Sequence, residues 1–169
     1  MPDPQAFSEL LGGLPPQLIT FIVAMTPIFE LRGAVPLAIF GLGMSPLEAF
    51  FWSVLGNAFA GAVVVALLEP VSNFLRVLKP FDMFFNWLFE RTRRRHTETF
   101  ERYQSLALII FVGIPLPMTG AWTGAAAAFV FGIRLSLAIP LIAVGVILAG
   151  IAVTLLSTGV IQVGNLLGF

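Results

Sequence analysis

Two apolar stretches, residues 46–68 and 135–158, constrain the fold of this chain more than any other feature. Each is long enough to cross the apolar core of a bilayer as an α-helix, which takes about 20 residues at a rise of about 1.5 Å per residue. The composition fits a lipid surrounding: 58% of the residues are hydrophobic and 11% are charged, whereas an ordinary soluble domain has about 25% charged residues. The sequence therefore predicts an all-α integral membrane protein.

Four shorter apolar stretches form two pairs, and a segment rich in proline, glycine and polar residues joins each pair. We name these joining segments the first tip (residues 26–33, TPIFELRG) and the second tip (residues 113–120, GIPLPMTG). Non-helical backbone is tolerated at membrane depth only where it is buried in protein or lines a wet cavity. Each pair is therefore predicted to form a re-entrant helical hairpin; the four stretches are residues 17–26, 34–43, 105–113 and 121–132.

The chain also repeats itself at an offset of 89 residues. Residues 38–68 and 127–157 are identical at 9 of 31 aligned positions, where chance in so biased a composition gives about 3. Each repeat holds one re-entrant hairpin and one full crossing, so the two repeats must be inverted. The second repeat has Arg134 where the first repeat has Ser45. Arginine prefers the cytoplasmic side of a membrane, so an arginine at one of these two positions and not at the other is what inversion requires. Inverted repeats of broken helices are typical of secondary transporters, which bind substrate at the repeat interface.

The linker between the repeats, residues 69–104, carries seven of the nine lysine and arginine residues. Its large apolar side chains recur at helical spacing opposite polar positions, which predicts an amphipathic helix on the membrane surface. The run RTRRRH (residues 91–96) is expected in the cytoplasm. It either fixes the topology alone or also binds anionic lipid head groups.

The predicted fold class is therefore an all-α integral membrane protein with two inverted repeats, each a re-entrant helical hairpin plus one full transmembrane helix, joined by a cytoplasmic amphipathic linker. The single membrane domain of residues 1–169 divides into a lead-in (1–16), repeat 1 (17–68), the linker (69–104), repeat 2 (105–158) and a tail (159–169).

Glu30 and Arg32 lie in the first tip between Pro27 and Pro36. An ionisable side chain at membrane depth costs at least about 2.5 kcal/mol, so it is expected to face a partner or a polar cavity. One interpretation is a structural ion pair that fixes the hairpin. The other is that Arg32 attracts an anionic group while Glu30 takes up and releases a proton.

In the second tip, two prolines are expected to end the incoming half-helix, while threonine and glycine start the outgoing one. Half-helix N-termini near Gly33 and Gly120 are predicted to offer free N–H groups and positive dipole ends to an anion. Trp122 either packs or stacks on substrate. The candidate substrate- and proton-binding residues are Pro27, Glu30, Arg32, Pro36, Pro115, Pro117, Thr119, Gly120, Trp122 and Thr123, with the site predicted between the two tips.

Small residues such as Gly56 and Gly145 recur on one face of each long helix, and we expect them to let helix backbones pack closely. Asn57 lies well inside its helix, where it either lines the site or hydrogen-bonds a neighbouring helix.

The residue inventory excludes several classes of site. There is no cysteine and a single histidine, so thiolate or histidine metal clusters and cysteine nucleophiles are excluded. No HExxH or GxSxG motif is present, which argues against an enzyme. The formal net charge is zero, so nothing attracts nucleic acid. No cofactor is predicted.

The motifs TPIFELRGAVPLAI and GIPLPMTGAWTGA, with the basic linker between them, resemble the small multidrug export family of bacteria and archaea. The resemblance runs from about residue 18 to 156 and implies transport. It also implies a distant relation to the DedA-like membrane proteins, which have paired re-entrant hairpins and are implicated in moving lipid phosphates. Those proteins carry arginines beside the second-tip proline, which this chain lacks, so only Glu30 and Arg32 carry over as functional residues.

Three functions are open at this point: a proton-coupled exporter of small molecules, a lipid-phosphate flippase or scramblase, and a non-transporting membrane assembly factor. The expected partners are membrane lipid, a small-molecule or lipid-phosphate substrate and a second copy of the chain in a homodimer. The expected location is the inner (plasma) membrane of a prokaryote.

Inversion places the linker in the cytoplasm and both termini outside, because each repeat crosses once. Since the chain has no cysteine, single cysteines can be introduced at His96 and Gly168 and labelled with an impermeant reagent. We expect the two positions to react from opposite sides of the membrane. Reaction from the same side would contradict the inverted topology.

Overall fold

The computed structural model describes residues 13–75, 98–116 and 119–167, together with Val77 and Met83. Within these residues the chain forms six α-helices, one short π-helix and no strand, which confirms the all-α class. The α-helices are α1 (Pro16–Met25), α2 (Glu30–Pro36), α3 (Pro46–Leu75), α4 (Glu98–Gly113), α5 (Ala121–Val130) and α6 (Leu135–Leu167), and the π-helix Leu37–Gly41 continues α2.

Helices α3 and α6 contain the two predicted crossings. Both are long and apolar enough to span a membrane, and 33% of the most apolar window of each is buried within the protein. A core helix of a soluble protein is mostly buried, whereas these helices expose large apolar side chains such as Phe51, Phe59 and Leu156. This pattern fits helices that face lipid.

The long helices extend beyond the predicted crossings. Helix α3 continues past residue 68 to Leu75 and includes Pro70, because a proline removes one helical hydrogen bond without having to end the helix. The Ser72 hydroxyl donates to the Glu69 carbonyl oxygen at 2.9 Å in the same turn. Helix α4 likewise begins at Glu98, inside the segment assigned to the linker. The predicted amphipathic helix with Phe81, Phe84, Phe85, Leu88 and Phe89, and the basic run 91–96, lie outside the described residues.

The chain divides into two compact units. The first unit comprises Met1–Phe59 and Val146–Phe169, and the second comprises Ala60–Gly145. The first unit therefore holds the first tip, the first half of α3 and the second half of α6. The second unit holds the second tip with the complementary halves of these two helices.

In the first unit, α1 and α2 pack against each other. The first half of α3 joins them through a core of small and aliphatic side chains. Gly56 of α3 packs directly against the Phe21 carbonyl oxygen and the Ala24 side chain of α1, so the predicted packing role of this glycine is confirmed. The buried members of the core are Ile19, Ala38, Leu42, Met44 and Ala49, flanked by Val23, Ile39 and Trp52.

In the second unit, α4 and α5 pack against each other. Val112 of α4 fills the space above two glycines, Gly124 of α5 and Gly145 of α6. A Cβ added at Gly145 would lie 2.6 Å from the Val112 Cβ and 3.0 Å from the Ile109 carbonyl oxygen. Gly145 therefore has the packing role that the sequence predicts.

The offset of 89 residues recurs in the local structure. Helix α3 begins at Pro46 and α6 at Leu135, which are 89 positions apart. Gly43 and Gly132, also 89 apart, both have a positive φ, 66° and 69°, a conformation open to glycine because it has no Cβ. The inversion of the repeats and the re-entrance of the hairpins stay predictions.

Gly56→Ala should destabilise the first unit, because the added Cβ meets a backbone carbonyl that cannot move aside. We expect a loss of about 1–3 kcal/mol, as for other overpacked cores, measured as a lower melting temperature in detergent. Gly159→Ala is the matched control, since nothing lies within 4 Å of a Cβ at that helical glycine. Equal melting temperatures for the two variants would contradict the close packing of α1 and α3.

Candidate functional site

The first tip begins where proline ends α1. Thr26 is extended, with φ −75° and ψ 141°, because the ring of Pro27 disfavours a helical conformation in the residue before it. The Thr26 hydroxyl donates to the Val23 carbonyl oxygen at 2.7 Å, and the Thr26 N–H donates to the same oxygen at 3.1 Å. After one turn the Glu30 N–H donates to the Thr26 carbonyl oxygen at 3.1 Å, and α2 begins.

Glu30 has a strained backbone. Its φ is 45°, and among the described residues it is the one non-glycine residue with a positive φ. A side chain in this left-handed region costs roughly 1–2 kcal/mol, and such strain concentrates at functional sites. Helix α2 begins at Glu30. The sequence predicted this start near Gly33, three positions later.

Glu30 and Arg32 form an ion pair. Nη2 of Arg32 donates to Oε2 of Glu30 at 3.1 Å, and the side chains are 5% exposed for Glu30 and 26% exposed for Arg32. The carboxylate is thus enclosed by protein while part of the guanidinium reaches the surface. The pair places a proton-binding group beside a permanent cation at a break between two helices.

Four uncharged polar side chains are also buried in the first unit: Thr20 on α1, Ser53 and Asn57 on α3, and Ser157 on α6. The Thr20 hydroxyl donates to the Pro16 carbonyl oxygen at 2.8 Å. By contrast, Oγ of Ser53 and Oδ1 of Asn57 have no hydrogen-bond partner in the structure. The Asn57 carbonyl oxygen therefore does not bond a neighbouring helix, which was one of the two predicted roles. Ser53 was not identified from the sequence.

The second tip satisfies its polar groups locally. Oγ1 of Thr119 lies 2.7 Å from the Ile114 carbonyl oxygen and 2.9 Å from that of Leu116, and it accepts from the Leu116 N–H at 3.1 Å. The Thr123 hydroxyl lies 3.3 Å from the Gly120 carbonyl oxygen. Helix α5 begins just after Gly120, as the sequence predicts. These hydroxyl groups hold the turn together.

The predicted site residues are thus divided between the two units. The structure brings Glu30 and Arg32 into contact, and the prediction that both tips form one site stays a prediction. The first unit contains Pro27, Glu30, Arg32 and Pro36; the second contains Pro115, Thr119, Gly120, Trp122 and Thr123; Pro117 lies outside the described residues.

The second unit has a cavity of about 500 Å³ that the sequence did not indicate. It lies between the middle of α4 and the connection from α5 to α6. None of the predicted site residues is among the described residues that line it, which are Gln104, Ser105, Gly132, Ile133, Arg134, Ser136 and Leu137. Among the described residues, no group of three or more histidine, aspartate or glutamate side chains is placed to bind a metal ion.

A family model described as "Putative small multi-drug export protein" matches residues 30–152 of the chain. The matched segment begins at Glu30 and includes the second half of the first tip, the whole second tip, all of α3 and the first half of α6. No curated protein and no solved structure matches the chain.

The ion pair predicts a specific pattern of stabilities. Arg32→Ala leaves the buried Glu30 carboxylate without this partner and should lower the free energy of unfolding by about 1–3 kcal/mol. Adding Glu30→Gln to this variant should restore part of the loss, because no buried charge remains. The measurement is the melting temperature of both variants in detergent. A double variant as unstable as the sum of the single ones would mean that the two side chains are not coupled.

Proposed function

We propose that this chain, which belongs to the small multi-drug export protein family, is a proton-coupled membrane exporter of small molecules. In this proposal the substrate and the proton bind at the first tip. The family name describes export and points away from an enzyme. The observation that carries the proposal is the buried Glu30–Arg32 pair at the break between α1 and α2.

The fold itself does not require these charges. At the offset of 89 residues, Glu30 aligns with Thr119 and Arg32 with Ala121, so the second tip is built without any charge at the two positions. A charged side chain at membrane depth costs free energy, and the fold alone does not explain why the first tip has two of them. The strained φ of Glu30 adds to this cost. Both costs are explained if the pair takes part in a transport cycle.

In the proposed cycle, Glu30 alternates between a deprotonated form that holds Arg32 and a protonated form that releases it. A carboxyl group that gains a proton loses its charge and most of its attraction for a guanidinium. Proton binding therefore changes the charge that the first tip presents to a substrate. This linkage is what couples a proton gradient to export.

The proposal includes the finer architecture: inverted repeats, re-entrant hairpins, a homodimer, a prokaryotic inner membrane, a cytoplasmic linker and a distant relation to the DedA-like proteins. A monomeric mass in nanodiscs would contradict the homodimer.

The alternatives are a lipid-phosphate flippase or scramblase and a non-transporting assembly factor. Phosphate is less favoured, since Glu30 already engages the guanidinium and the second-tip hydroxyls bond backbone carbonyls.

The test is transport in proteoliposomes with a pH gradient, using a fluorescent cationic amphiphile and, separately, a fluorescent lipid-phosphate analogue. Glu30→Gln should keep the fold and abolish the dependence of transport on the gradient. Glu48→Gln is the matched control: Glu48 is exposed and accepts hydrogen bonds from the Ser45 N–H and hydroxyl, and glutamine also serves in such a capping box.

Each outcome of this experiment decides between the functions. Gradient-dependent movement of the amphiphile that Glu30→Gln removes and Glu48→Gln retains supports the exporter. Movement of the lipid-phosphate analogue alone supports the flippase. Full activity in Glu30→Gln would reduce the ion pair to a structural role, and no movement of either probe supports the assembly factor.

A further inference from the structure

Ser53 and Asn57 lie one turn apart on α3, and each buries an oxygen atom without a hydrogen-bond partner. The residues are 0% and 2% exposed, and the atoms are Oγ of Ser53 and Oδ1 of Asn57. Nearly all buried polar groups in native proteins are paired, so each exception needs an explanation. Among the described residues Oγ1 of Thr154 on α6 is a third such atom, but Ser53 and Asn57 lie one turn apart on one helix, which points to a shared cause.

Helix packing does not require polar side chains at these positions. At the offset of 89 residues, Ser53 aligns with Ile142 and Asn57 with Val146, which are 1% and 0% exposed. The matching places on α6 are therefore just as buried and entirely apolar. Like the charges of the first tip, these two polar side chains have no polar counterpart at the matching positions of the second repeat.

Asn57 lies on α3 beside the part of α1 that leads into the first tip. Ala38 of the π-helix and Ala49 of α3 belong to the same buried cluster. Gly56, next to Asn57, packs against Phe21 near the end of α1.

We infer that Ser53 and Asn57 form a subsite that accepts hydrogen bonds from a protonated amine of the transported molecule. The Asn57 carbonyl oxygen is purely an acceptor and the Ser53 hydroxyl oxygen accepts as well, whereas an ammonium group offers only donors. The Glu30 carboxylate of the same unit and the negative dipole end of α1 favour a cation. A phosphate would bring further acceptors and leave both oxygens unpaired. The inference rests on the proposed export function and names its substrate class.

The test compares two fluorescent amphiphiles that differ by one methyl group: a protonated tertiary amine with one N–H donor, and its quaternary N-methyl analogue with none. Affinities are measured with the full chain in nanodiscs, at a pH where the amine is charged. The wild type should bind the amine about tenfold or more tightly than the analogue. Ser53→Ala and Asn57→Val should each reduce this preference several-fold and leave the affinity for the analogue unchanged.

The chain offers a matched control for Ser53→Ala. Ser157 is a buried serine of the same unit whose hydroxyl donates to the Val153 carbonyl oxygen at 2.8 Å. Ser157→Ala should therefore keep the preference for the amine. Stability separates a binding role from a structural one: because Oγ of Ser53 is unpaired, Ser53→Ala should melt no lower than the wild type without ligand, and the amine should raise its melting temperature less.

Equal affinity of the wild type for both probes, or no binding of the amine, would overturn the inference. A lower melting temperature of Ser53→Ala with an unchanged preference would overturn it in favour of a structural role. If Asn57→Val does not fold, Ser53→Ala alone decides. Gradient-dependent transport that requires Glu30 but shows no preference for the N–H donor would leave the proposed function standing without this subsite.

Discussion

The need to satisfy every backbone polar group in apolar surroundings governs this structure. Proline has no backbone N–H to donate, so the helices break at the prolines of each tip. The backbone carbonyl oxygens at these breaks then need other donors. In the first tip the Thr26 hydroxyl bonds the Val23 carbonyl oxygen, and in the second tip the Thr119 hydroxyl lies within bonding distance of two carbonyl oxygens. A threonine thus supplies the missing donor at each break. The rest of the architecture, two packed short helices followed by one long helix, depends on these breaks being stable.

The two repeats share their backbone features and differ in their polar side chains. The starts of the long helices and the positive-φ glycines Gly43 and Gly132 recur at one offset. Across the same offset, the first repeat has carboxylate, guanidinium, hydroxyl and amide groups where the second has a threonine and three apolar residues. The pairs are Glu30 with Thr119, Arg32 with Ala121, Ser53 with Ile142 and Asn57 with Val146. The shared features build the fold, so the unshared ones are free to serve chemistry.

The sequence predicts the elements of the fold better than their ends or their partners. Apolar length identifies α3 and α6, and proline identifies both tips, because each signal acts within a few residues. The continuation of α3 through Pro70 depends on bonds within one turn that composition does not reveal. Ser53 was missed for a related reason: a helical serine is expected to bond the carbonyl four residues earlier, as Ser157 does. Only packing shows that the Ser53 oxygen is both enclosed and unpaired.

The costs of this structure are concentrated in the first unit. Glu30 has a strained φ, and α3 buries two oxygens without donors, while the second tip bonds its hydroxyl groups locally. Strain and unpaired groups persist only where the surrounding packing holds them in place, and the close contact of Gly56 with α1 is such packing. An acceptor that folding has already stripped of water does not lose that water again when a ligand binds. A donor on the ligand therefore gains more from the Ser53 and Asn57 oxygens than it would from exposed ones. The free energy that the fold loses at these atoms becomes affinity for the molecule that pairs with them.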